Sequence, residues 1–122
     1  MEPITLSIGN LRVTKDLPAP FYIRIDRGHS VLANPFRMLN DSDDERNRVC
    51  DEYEEYFRKK IARGTGDPVF RAEVGRLLDL AIEHNQLRLM CWCAPKRCHA
   101  ETILTFLAEV LEKLGYKTFK AF

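Results

Sequence analysis

The chain reads as one α/β domain over residues 1–122, a three-layer-like sandwich with a small, largely parallel sheet and about three main helices. Three observations predict it. Two segments near the start, "ITLSIGNLRV" and "FYIRID", alternate apolar and polar side chains as strands do. Two long segments in the middle and one near the end carry apolar residues at helical spacing. A short apolar run, "LRLMCWC", lies between two of those helices, as a strand of a βα unit would.

Taken in order, "ITLSIGNLRV" is the first strand, with Ile4, Leu6, Ile8, Leu11 and Val13 as its apolar set and Gly9-Asn10 as a bend. "DLPAP" is a turn, because its two prolines exclude regular structure. "FYIRID" follows as a strand with Phe21, Ile23 and Ile25 on one face. Ser42 and Glu45 form a capping-box pattern that opens the first helix, with Asp43 and Asp44 in its first turn and Gly64 as its stop. Its stripe is Val49, Tyr53, Tyr56, Phe57 and Ile61. Asp67 caps the second helix and Pro68 takes its first position, ahead of Phe70, Val74, Leu77, Leu78 and Ala81. "LRLMCWC" has the composition of a strand in a sheet covered on both faces. A third helix runs from about Cys98 through Leu114 to Gly115, and "YKTFKAF" closes as an edge strand marked by its lysines.

Hydrophobic residues at 45% and charged residues at 30% are those of a globular domain, and a net charge of +1 argues for neither a nucleic-acid binder nor an acidic tail. No run reaches the length of a membrane span, and "MEPITLSIGN" lacks the basic-then-apolar pattern of a signal peptide. The expected setting is therefore cytoplasmic and reducing, where clustered cysteines bind metal, react or pack rather than form disulfides.

In such a fold, ligands bind at the carboxyl ends of the strands. Two loops fall there, "RGHSVLANPF" and "CWCAPKRCH", and the second holds three of the four cysteines. Cys91, Cys93, Cys98 and His99 have the donor atoms of a tetrahedral zinc site, although all four fall within nine residues and Cys98 and His99 are adjacent; His29 or His84 could replace one of them. A second reading is an anion or nucleophile site. The start of the third helix, with Lys96 and Arg97, would attract a phosphate or carboxylate and lower the pKa of Cys98. His99 would carry a proton, and Glu101 would accept one or orient a hydroxyl. In the plainest reading, Cys91 and Cys93 fill volume on an inner strand, Cys50 packs within a helix, and Trp92 packs rather than stacking a base at the crevice lip. His84 sits near a helix end as a dipole partner, and the acidic run at 41–45 is a helix start. Across the crevice, Arg24, Arg27 and His29 add cationic or titratable groups, Gly28 a tight turn, and Asn34-Pro35-Phe36 a bend.

The blocks "YIRIDRGHSVLANPF", "ERNRVCDEYEEYF" and "LMCWCAPKRCHAETIL" resemble the domain-of-unknown-function family 4326, small bacterial and bacteriophage proteins. That family's pattern is an arginine-glycine turn, Gly-Asn-Pro-Phe, a helix with spaced tyrosines, and C-W-C-x-P-x-x-C-H. The resemblance covers Tyr22 to Leu107 and places Arg27, Gly28, Asn34, Pro35, Phe36, Cys91, Trp92, Cys93, Pro95, Cys98 and His99 at signature positions. Ala33 stands where glycine is usual, and Arg97 where proline or a small residue is frequent. The resemblance implies a bacterial or phage-infected cytoplasm and brings no activity with it.

The expectation is a crevice that binds an anionic small molecule, either a nucleotide or a nucleotide-derived or phosphorylated compound. Its site residues are Arg24, Arg27, Gly28, His29, Asn34, Trp92, Lys96 and Arg97, with Cys98, His99 and Glu101 for any turnover. The alternative is a zinc-stabilised module contacting nucleic acid or a host protein.

Overall fold

A computed structural model describes residues 2–13, 17 and 19–122. The order of elements is β1 (Ile4–Asn10), β2 (Tyr22–Arg24), α1 (Asp43–Ile61), α2 (Pro68–His84), β3 (Gln86–Cys91), α3 (Ala100–Lys113) and β4 (Thr118–Ala121). The turn read at "DLPAP" includes Asp16 and Pro18, which lie outside the described residues. The four strands form one all-parallel sheet in the order β2-β3-β1-β4, so the α/β class, the parallel sheet and the three helices are as expected.

Local chemistry sets most of the ends. Asp67 accepts from the N–H groups of Val69 and Phe70, with Pro68 at the first helical position. Ser42 accepts from the Glu45 N–H as a cap should, but the box is not reciprocal. The Glu45 carboxylate instead accepts from the Leu39 N–H and from Arg48, and Asn40 accepts from the Ser42 N–H. Helix α3 ends as Tyr116 N–H reaches back to the Leu111 carbonyl across Gly115, whose φ is +96°.

Register decides which sheet face is apolar. Leu6 pairs with Leu87, Ile8 with Leu89, and Ile23 with Leu89 on the other side, so these side chains share one face. They pack with Phe70, Val74, Leu77 and Ala81 of α2 and with Ile103, Leu104, Leu107 and Leu111 of α3 in a single core. Helix α1 closes over both helices, and Phe57 meets Phe70 and Phe106 at ring separations of 5.5 and 5.3 Å.

The opposite face carries Thr5, Ser7, Tyr22, Arg24 and Arg88, all half-buried. The "LRLMCWC" strand is therefore not covered by helices on both sides. Connectivity explains this. The steps β2→β3 and β3→β4 run in the same direction across the sheet, so right-handed crossovers put all their helices on one face. The step β1→β2 runs back and calls for the other face, where Leu11 and Met90 are buried apart from the main core. Gly9 lies close against them: a Cβ there would come within 2.5 Å of the Met90 sulfur, and that side chain would have to shift.

Candidate functional site

The ends of β2 and β3 lie side by side, since Arg24 pairs with Met90 and the Ile25 N–H bonds to the Met90 carbonyl. The chain leaving β2 and the chain leaving β3 therefore border one cavity of about 370 Å³. It is lined by Asp26, Arg27, Asn34, Phe36, Arg37 and Met38 on one side, by Cys91, Cys93, Cys98, Trp92, Arg97 and His99 on the other, and by Cys50 of α1. Helix α1 adds Arg46 and Val49.

At the base lie three thiols. Cys91 ends β3, Cys93 follows two residues later on the same side, and a turn closed by the Lys96 N–H on the Cys93 carbonyl brings Cys98 back. The Sγ atoms of Cys91, Cys93 and Cys98 all lie within 4.8 Å of one another, and those of Cys91 and Cys98 are 3.0 Å apart. His99 Nε2 is 3.0 Å from the Ile25 carbonyl, which can only accept, so that nitrogen carries the proton. Nδ1, 3.5 Å from Cys98 Sγ, then presents a lone pair to the thiol. Burial holds the His99 pKa below the usual imidazole range, so the ring is neutral at pH 7.

This geometry corrects the expectation that the helix start activates Cys98. Helix α3 begins only at Ala100, and the Cys98 N–H is already held by the Glu101 carboxylate at 3.1 Å. Glu101, in the first turn of α3, thus already takes the N–H that would face an anion at Cys98. Cys98 is 3% exposed, and hydrogen bonds to Cys91 and Cys93, reinforced by burial, push its thiol far above the ordinary value. Hydrogen bonds from Cys91 and Cys98, together with Arg46, act the other way on Cys93 and lower its thiol below the ordinary range. Cys50, read as plain helix packing, also reaches the cavity, though burial pushes its thiol up to about 11.

The other expected site residues divide. Arg27, Asn34, Trp92 and Arg97 line the cavity. Asn34 also holds the turn: its side chain donates to the Val49 carbonyl and accepts from the Phe36 N–H. Arg97 spans to α1, meeting Asp51 at 2.9 Å, Glu54 at 3.3 Å and Asn47 at 3.2 Å. Lys96 faces a separate hollow with Asn10 and Pro95, and Gly28 and His29 border another with Ser30 and Arg76, so these three are not brought into the crevice. Arg24 is not there either; it lies on the opposite sheet face, paired with Asp26.

Asp26 is the residue the sequence reading missed. It is 7% exposed and accepts from Arg24 Nε at 2.9 Å and Trp92 Nε1 at 3.0 Å, with His29 Nδ1 at 3.3 Å. Burial alone would raise its pKa, but the Arg24 and Trp92 hydrogen bonds bring it down to about 2. Arg46 was missed as well, although it stands three and four residues before Val49 and Cys50 on the buried stripe of α1, where an arginine is out of place.

No helix among the described residues is long and apolar enough to cross a membrane. Neither the curated proteins nor the solved structures contain a match to the chain. A family model does match, over residues 9–109, and its span takes in both loops of the cavity and the three clustered thiols. The chain belongs to that family, described as domain of unknown function DUF4326.

Proposed function

We propose that the cavity binds a small anionic ligand, a nucleotide or a nucleotide-derived or phosphorylated compound. The observation that carries this reading is the set of arginines that line the cavity. Arg27 and Arg37 have no carboxylate partner among the described residues, and the Arg46 Nε is buried without any hydrogen-bond acceptor. A buried guanidinium N–H left unmatched costs about 1–3 kcal/mol or more, so an anion that accepts from it gains affinity. The volume lies within the range of small-molecule sites, and Trp92, 46% exposed, and Phe36 offer flat apolar surface for a base. Calorimetric titration with inorganic phosphate, adenosine monophosphate, adenosine triphosphate and ribose 5-phosphate tests it. At least one should bind, and Arg37→Ala should weaken that binding roughly tenfold, the loss of one charge-assisted bond. Absence of binding across the panel sinks the reading.

Any turnover in this cavity would start with His99 Nδ1, 3.5 Å from Cys98 Sγ, taking the thiol proton, because the helix start does not supply that activation. Unchanged turnover of an identified substrate by Cys98→Ser would remove that role.

A second reading rests on the three sulfurs within 4.8 Å of one another: a zinc-stabilised module, with Cys91, Cys93, Cys98 and His99 as its ligands, that contacts nucleic acid or a protein. It requires that chelation or Cys91→Ser unfold the chain, because a structural zinc ion contributes folding energy outright. A chelated chain with unaltered circular dichroism rejects it.

A further inference from the structure

We propose that Cys91, Cys93 and Cys98 bind a single zinc-class divalent ion whose fourth coordination position opens into the cavity, where the anionic ligand completes it. This rests on the anionic-ligand reading for the identity of the fourth group. It differs from the closed structural site, because the protein supplies three ligands rather than four.

Size selects one ion. Zinc–sulfur bonds of about 2.3 Å in a tetrahedron separate the sulfurs by about 3.8 Å. The three Sγ atoms, 3.0 Å apart at one pair and within 4.8 Å throughout, surround a space of that order. Thiolates serving an iron–sulfur cluster must span several metal ions and stand farther apart. Little need move for the ion to enter, since β3 supplies two ligands and the turn at 93–96 returns the third.

The fourth direction is set by what surrounds the sulfurs. All three thiols line the cavity. His99 is adjacent but does not belong to the group of atoms close enough to share an ion. Its Nε2–H is held by the Ile25 carbonyl and its Nδ1 is 3.5 Å from Cys98 Sγ, beside the cluster but not within reach of all three sulfurs. Cys50 lines the same cavity and is likewise not in the group. A site with three protein ligands and one open position is the catalytic and ligand-binding form of zinc coordination.

Charge is consistent with this. Binding releases the protons that the thiols still carry and leaves a divalent ion with three thiolates, one net negative charge. The guanidinium of Arg46 lines the same cavity, and Arg27 and Arg37, which line it too, balance an incoming anion as well. A ligand held on the metal by one oxygen and by arginines through others would be a phosphate or carboxylate.

Cobalt(II) titration of the metal-free, full-length protein tests this, with azide as a small probe of the open position. One equivalent should bind with a sulfur-to-cobalt charge-transfer band and tetrahedral visible bands, and azide should shift the visible bands. Cys93→Ser should lower cobalt affinity roughly tenfold or more, whereas His99→Gln should leave it within about twofold. No charge-transfer band overturns the site. A spectrum insensitive to azide overturns the open position, and loss of binding in His99→Gln assigns the fourth ligand to His99 instead. Because azide is not a nucleotide or phosphate, a positive result with no binding across the ligand panel would keep the metal site and reject the nucleotide reading.

Discussion

The two loops that border the cavity are built in opposite ways. The segment after β2 uses its polar groups on itself and on α1. Arg27 donates to the Asn34 carbonyl, Ser30 Oγ accepts from the Leu32 N–H, Asn34 clamps Val49 and Phe36, and Tyr53 of α1 donates to the Leu32 carbonyl at 2.6 Å. The segment after β3 is tied to its neighbours by Asn10 and Arg97, but its thiols face one another and the cavity. The first loop is a wall and the second sets its thiols against it. Substitutions in the polar bonds of the wall should therefore change stability more than those in the second loop.

The largest stability effect should come from Tyr53→Phe. Tyr53 is fully buried, and losing its hydroxyl leaves the Leu32 carbonyl without that partner in a place closed to water. The cost is about 1–3 kcal/mol. For a chain of this length each kcal/mol lowers Tm by roughly 4 °C. Thermal unfolding that moves by less than about 2 °C would mean the wall does not depend on this bond.

Next is the acid response of Asp26. Its folded pKa is about 2 against an ordinary 3.8, so the unfolded chain binds more protons between those values. The stabilisation is present above the unfolded value and is lost as pH falls towards the folded one. The amount is at most about 2 kcal/mol. Glu45, also lowered to about 2, and Asp67 add to the acid dependence of the native chain, so the informative quantity is the difference made by Asp26→Asn. Urea midpoints at pH 6, 4 and 2.5 should converge for the two proteins as pH falls. Parallel curves would remove Asp26 from the groups that hold the loops.

How much of this was legible in the sequence follows from how local each signal is. Asp67-Pro68 and Ser42 announced helix starts because capping depends on neighbours a few residues away. The meeting of the two loops followed from a general property of parallel sheets. Cys98 and Glu101 also have capping spacing, three residues apart, but cysteine is not a usual cap, and Glu101 was read as chemistry. Asp26 had no local signature at all: it is one carboxylate after a strand, and its partner Trp92 is 66 residues away. The polar second face was hidden for a related reason. An apolar strand shows that burial occurs, whereas the strand order decides what supplies it, and β3 lies between strands distant in sequence.

The smallest effect, and the finest test of the comparison, is the bond between the loops. Trp92 Nε1 donates to Asp26 Oδ2 at 3.0 Å and links the cysteine-bearing segment to the wall. Arg24 still satisfies the carboxylate when the indole is lost, so Trp92→Phe should cost only about 0.5–1 kcal/mol. A double-mutant cycle with Asp26→Asn isolates the link, since a shared bond gives a coupling of about 0.5 kcal/mol or more and independent sites give nearly none. Trp92 is the chain's one tryptophan, so its fluorescence reports the same contact directly in the Asp26→Asn protein. A measurable coupling with an emission shift means the stacking surface is held by the wall and any ligand on it senses both loops. Zero coupling with unchanged emission means the two loops have no energetic contact through this bond, and the cavity's shape is then set by other ties, among them His99 to the Ile25 carbonyl and Arg97 to α1.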